Sequence, residues 1–270
     1  MSEAEQPPVA LTIASSDSGG GAGIQADLKT MTRFGVYGAS AVVSTTAQNT
    51  ATVADVHVVP MAHLRAQVQA ILEDLPVQAV KLGMLATAEA VETVRELLEP
   101  VEAPIVIDPV MIASSGDPLL EPAAEPAYER LIDHARIVTP NADEAEALTG
   151  RWPDSDHARA DSAEQFFGWG AEAVLFKGGH LDGATVQDHL VTPSHTTSFE
   201  APRIADATTH GSGCTLSSAI AAGLARGEPL PDACERAIEF VRAAIETPAR
   251  VGQRGSVNHL VAGDPWGSSG

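Results

Sequence analysis

Short apolar runs alternate with stretches in which apolar residues recur every three or four positions. Residues 9–14 (VALTIA) are continuously apolar or β-branched, the pattern of a strand buried on both faces. A glycine cluster, Gly19-Gly20-Gly21-Ala22-Gly23, follows. Residues 24–34 then place Ile24, Leu28, Met31 and Phe34 on one helical side, and Gly35 supplies a stop. The same alternation predicts strands at 36–46, 77–82, 104–108, 135–139 and 173–177. Helices are predicted at 61–75, 86–98, 122–133, 143–149, 162–170, 211–224 and 232–247. Residues 186–192 and 196–201 read as a β-hairpin, 152–161 as a polar surface connection, and the tail from 251 as loop. Strands alternating with helices imply an α/β fold whose largely parallel central sheet is covered on both faces. One domain is expected over residues 9–262, between flexible ends at 1–8 and 263–270. In such sheets ligands bind beyond the carboxyl ends of the strands. Four polar clusters stand there: 17–23, Asp108, 139–144 and 177–180.

Composition narrows the function. The 270-residue chain is 44% apolar but only 4% aromatic, so its core rests on Val, Ile, Leu and Ala. It holds no apolar run of the ~18 residues that a membrane span needs. The polar, acidic start has no signal-peptide layout, and a cytoplasmic chain is expected. Cys214 and Cys234 have neither the spacing of a zinc site nor partners for a disulfide framework. A formal charge of −20 excludes a general basic face for nucleic acid. Only three lysines occur, Lys29, Lys81 and Lys177. So acidic and lysine-poor a surface points to a salt-rich cytoplasm, where screening weakens self-repulsion. It also singles out each remaining lysine as a candidate for a specific task.

Four motifs carry candidate chemistry. Gly21-Ala22-Gly23-Ile24-Gln25-Ala26 fits GxGxxA, but residues 36–52 lack the acid that a dinucleotide site wants after its second strand. That leaves a tight strand-to-helix turn. Gly211-Ser212-Gly213-Cys214 opens an apolar helix, so its amides and the helix dipole make an anion site suited to a transferring phosphoryl group. The same field is expected to depress the Cys214 pKa, leaving a base beside the anion hole. A plain small-residue helix start with a buried cysteine explains the residues as well. Lys177-Gly178-Gly179-His180 follows a strand and suits phosphate, although a lysine extending from a strand end to solvent fits too. Asn141 and Glu144 stand at i, i+3, the spacing of a helix cap with its capping-box partner. They also suit a water-held magnesium ion, and Asp108 is a further candidate ligand.

Taken in order, the segments TIASSDSGGGAGIQADLKT, AQNT, KLGML, IDPVM, SGDPLL, TPNADEA, FKGGH and THGSGCT resemble the hydroxymethylpyrimidine/phosphomethylpyrimidine kinases over about residues 11–260. The resemblance implies a ribokinase-like three-layer α/β/α sandwich, ATP with Mg²⁺, a homodimer, and two successive phosphorylations in thiamine biosynthesis. It implies that Asp27, Gln48 and Met84 hold the pyrimidine, with Val110 beside it. Cys214 would be the base and Gly211, Ser212 and Gly213 the anion hole. Lys177, Gly179 and Thr208 would meet ATP, and Asp108, Asn141 and Glu144 would surround magnesium. Ser15 stands where the family usually has glycine, and Ser18-Gly19 where it has proline-serine. A side chain at 15 is expected to narrow the pocket. Arg254 replaces a histidine in the C-terminal loop and brings a positive charge. A pyridoxal or pyridoxine kinase and a non-catalytic nucleotide- or metabolite-binding protein are the competing expectations.

Overall fold

A computed structural model describes residues 6–111, 119–121 and 124–261. Its frame is one nine-stranded sheet in the order β3-β2-β1-β4-β5-β6-β7-β8-β9. The strands are β1 (Val9–Asp17), β2 (Tyr37–Gln48), β3 (Val53–Val58), β4 (Val77–Leu82), β5 (Ile105–Ile107), β6 (Ile137–Val138), β7 (Val174–Phe176), β8 (Thr185–Val191) and β9 (Thr196–Pro202). The six from β2 to β7 pair in parallel. β3 closes one edge and the β8–β9 hairpin the other, both antiparallel. β1 has β2 on one side and β4 on the other, so the chain changes direction across the sheet there and opens a crevice at the strand ends.

Among the described residues eight α-helices cover the sheet: α1 (Gly23–Arg33), α2 (Met61–Asp74), α3 (Ala88–Leu98), α4 (Glu125–Leu131), α5 (Ala142–Thr149), α6 (Asp156–Gly168), α7 (Ser212–Ala225) and α8 (Leu230–Glu246). Alternate strand residues feed two cores. Leu11, Ile13, Val80, Leu82, Ile105 and Ile107 pack with α2–α6. Ala10, Ala79, Val106, Ile137 and Leu175 face α1, α7 and α8. This second face positions the site. Two residues after each of its apolar positions comes a polar side chain of the same parity: Thr12, Lys81, Asp108, Thr139 and Lys177. Five strands thus present polar groups toward the start of α7.

The predicted α/β sheet with both faces covered is the observed one. Two local expectations need correction. β3 was not foreseen, because most of its residues are exposed on an antiparallel edge and carry no apolar alternation. Residues 156–161, read as surface connection, are the first turns of α6, capped by Ser155, whose hydroxyl accepts from the Ala158 amide. The expected flexible segment at 263–270, residues 1–5 of the N-terminal one, and most of SGDPLL lie outside the described residues.

Candidate active site

At the carboxyl ends of the parallel strands lies a cleft of about 400 Å³. One wall is built by residues 15–17 of β1, with Thr46 and Gln48 of β2 and Met84 after β4. Val110, Met111 and Leu119 continue it as an apolar surface. The far end holds Asp108, Asn141, Asp143, Glu144, Lys177, Gly179 and His180. Between them stand His210, Gly211, Gly213 and Cys214 at the start of α7.

Two glycine-rich turns pack against each other to make that middle part. Gly211 has φ +84°, and a Cβ there would stand 1.8 Å from the Gly21 carbonyl oxygen. No other residue fits without moving a backbone. No side chain caps α7. Its Ser212 amide donates to the Thr209 carbonyl, while the next two first-turn amides precede the intrahelical ladder and carry the positive end of the dipole. A Cβ on Gly213 would lie 3.5 Å from both Lys177 Nζ and Asp108 Oδ2, so this turn and the lysine face one small volume. The first glycine turn is wound round Asp17, whose carboxylate accepts from the amides of Gly19, Gly21 and Ala22 at 2.7–3.0 Å. His210 Nε2 approaches the same carboxylate at 3.4 Å. Burial alone would raise the Asp17 pKa, but His210 and these amides outweigh it and hold the group below its ordinary value.

Lys177 Nζ lies 2.9 Å from Asp108 Oδ1 and 3.4 Å from Glu144 Oε2. Burial opposes its charge, but the two carboxylates prevail and keep it protonated well above the usual lysine range. Burial pushes Glu144 up to about 7, with Lys177 opposing and Asp108 adding. Asn141 and Glu144 form the capping box that their spacing suggests: each side chain accepts from the other's amide at 2.8 Å. Among the described residues no three His, Cys, Asp or Glu side chains form a metal cage. Asp108 and Glu144 supply hard oxygen donors at this end of the cleft, where both approach Lys177.

Several residues stand differently from expectation. Asp27 is fully buried beneath the floor, where Thr12, Lys81 and Ser218 saturate its carboxylate. It is not among the cleft-lining residues. Burial pushes the Cys214 thiol up to about 11, where a depressed value was expected. Lys81 and the Gly23 amide oppose that rise, Asp27 and Asp108 add to it, and desolvation is the largest cause. Thr208 is outside the cleft and donates to the Arg254 carbonyl. Arg254 is exposed and is likewise no part of the lining. Ser15 sits at a bulge in the β1–β2 register and lines the cleft, where its hydroxyl donates to the Met84 carbonyl and accepts from Ser44. Lys29 folds back on the Gly20 carbonyl at 2.6 Å.

Gln48, Met84, Val110, Gly179 and the start of α7 do share the cleft. The Thr46 hydroxyl donates to Gln48 Oε1 at 3.0 Å, so the Gln48 NH₂ takes no part in that contact. Thr46 and His210 also line the cleft, beyond the residues that the sequence suggests, while Asp17 and Asp143 belong to the polar clusters 17–23 and 139–144 without an assigned role. For Asp17 and His210 a signal existed, since each adjoins a glycine turn at a strand or helix end.

A family described as phosphomethylpyrimidine kinase matches residues 17–258. A hydroxymethylpyrimidine/phosphomethylpyrimidine kinase of Streptomyces coelicolor is 47% identical over 240 residues, 88% of this chain and 89% of that protein. The structure of a Bacillus subtilis pyridoxal kinase in an ADP complex superposes with a TM-score of 0.87 at 33% identity, covering 95% of this chain and 98% of the other. A phosphomethylpyrimidine kinase structure from Clostridium difficile gives 0.78 at 39% identity, over 88% and 99%.

Proposed function

The chain belongs to the phosphomethylpyrimidine kinase family, and from that premise we propose how its cleft performs the phosphoryl transfer. The enzyme is a phosphotransferase that uses ATP to phosphorylate hydroxymethylpyrimidine and then its monophosphate, supplying thiamine synthesis. One observation supports the reading best. The uncapped start of α7 faces Lys177 and Asp108 at one end of a single cleft and the Gln48–Met84–Val110 surface at the other.

The flat ring packs on Met84, beside Val110, and takes a hydrogen bond from the Gln48 amide. Its hydroxymethyl group then points to the α7 turn. ATP enters from the Gly179–His180 end, and Lys177 exchanges part of its carboxylate contact for phosphate oxygens. A magnesium ion beside Asp108 and Glu144 would neutralise phosphate charge; Asn141 acts by fixing Glu144. The amides of Gly213 and Cys214 receive the charge that spreads over the transferring group. Such transfer depends chiefly on positioning and charge stabilisation. At pH 7 a thiol with a pKa near 11 is ionised in only about one molecule in 10⁴, so Cys214 accepts the hydroxyl proton only in its minor thiolate form.

The acidic, lysine-poor composition supports a salt-rich cytoplasm as the setting, and no described helix is long and apolar enough to cross a membrane. A homodimer is the family-based expectation for the assembly. Pyridoxal is the second substrate to consider, given the superposition on a pyridoxal kinase. Comparing kcat/KM for hydroxymethylpyrimidine and pyridoxal with ATP separates the two. The pyrimidine is expected to lead by at least tenfold, and a tenfold lead for pyridoxal would overturn the assignment.

A further inference from the structure

Beneath the α7 turn four elements meet at one carboxylate. Asp27 of α1 accepts from Thr12 Oγ1 of β1 at 2.6 Å, from Ser218 Oγ of α7 at 2.6 Å, and from Lys81 Nζ of β4 at 2.9 Å on each oxygen. Both charged side chains are fully buried. Room for the lysine is kept by Gly83, where a Cβ would stand 2.7 Å from Nζ and 3.0 Å from the Ala14 Cβ. Stability does not account for such a pair, since well-packed apolar residues of similar volume commonly serve as well or better.

Its location does. Ser218 follows Cys214 by four residues, so the two share a face of α7. Lys81 leads through Gly83 to Met84, the wall of the ring pocket. The pair therefore ties the ring wall to the first turn of α7. We propose that Lys81 and Asp27 are positioning residues for phosphoryl transfer: they lock α7 against β4 so that the reacting turn meets the ring pocket.

The surrounding charges agree with this. Burial works against the Lys81 charge, but Asp27, Cys214 and Asp108 favour it and carry its pKa to about 12. The groups whose fields act on Cys214 are Lys81, Asp27 and Asp108, and of these only Lys81 favours the thiolate. Loss of Lys81 alone disfavours the thiolate while Asp27 stays charged.

The inference rests on the reading that residues 211–214 face the reaction. Cys214→Ala tests the sulfur's part of that reading alone, so the two failures are distinguishable. The variants for the pair are Lys81→Met and the double variant Lys81→Met/Asp27→Leu, which leaves no unpaired buried charge and so serves if the single one does not fold. For the folded double variant, kcat is expected to fall at least tenfold with the KM for ATP within about twofold. A folded double variant with wild-type kcat, or one whose loss lies wholly in the KM for ATP, overturns the proposal.

Discussion

Two lysines stand at the ends of parallel strands on the α7 side of the sheet, and each has carboxylates for neighbours. Lys81 is sealed, and its partner Asp27 already receives four hydrogen bonds. Lys177 keeps 14% of its side chain exposed at the cleft, and one of its two partners, Glu144, titrates near neutrality. A saturated carboxylate has no acceptor capacity left for a ligand. A lysine between two carboxylates, one readily protonated, gives up a contact at small cost when phosphate arrives. The same residue pair serves architecture in one place and exchange in the other, and saturation decides which.

The strongest way to break this contrast is Lys81→Ala. It leaves Asp27 buried without its counter-ion and is expected to destabilise the fold by about 3–5 kcal/mol in urea unfolding. A loss below 1 kcal/mol would mean that Lys81 is not structural. Lys177→Ala should do the reverse. Its kcat/KM for ATP is expected to fall by about 10²-fold, while the unfolding free energy falls by less than in Lys81→Ala, because Glu144 can take up a proton when its cation is lost. Equal stability losses in the two variants would erase the distinction.

A third buried contact on α7 sharpens the picture because it involves no ion pair. His259 Nε2 lies 3.0 Å from the Thr215 hydroxyl, and burial, aided by Lys29, lowers its pKa to about 4. The unfolded chain takes up this proton near 6.5, so stability is present above 6.5, is lost as pH falls, and levels off below 4. About 2–3 kcal/mol is at stake. The melting temperature measured from pH 7 to 4.5 should fall less steeply in His259→Gln than in the wild type.

The smallest expected effect concerns Cys214. Because its thiolate population rises tenfold per pH unit below about 11, Cys214→Ala should lower kcat by about tenfold at pH 9 and by less at pH 7. A ratio that is flat across this range would make the sulfur a packing group.

Much of this arrangement was readable along the chain. The apolar runs located the parallel strands, and the polar residues that end them fell where the cleft lies. What failed was depth. Asp27 was placed against the ring because its motif sits in the opening segment, yet it shares the buried stripe of α1 with Ile24 and Met31, at i+3 and i+7. That spacing already pointed inward. The sign of the Cys214 shift is not legible because a helix start announces its dipole in sequence, while the burial of the sulfur and its neighbours Gly23, Lys81, Asp27 and Asp108 come from segments remote in the chain. Edge strand β3 escaped because a half-solvated edge needs no apolar period.

The central claim is that phosphate is handed to the pyrimidine hydroxyl at the α7 turn, with Lys177 on the phosphate and Asp27 out of reach. A crystal structure with hydroxymethylpyrimidine and a non-hydrolysable ATP analogue tests it directly. The account expects a terminal phosphate oxygen within about 3 Å of the Gly213 or Cys214 amide, with the ring between Gln48 and Met84. A terminal phosphate remote from that turn, or a ring in contact with Asp27, would contradict it.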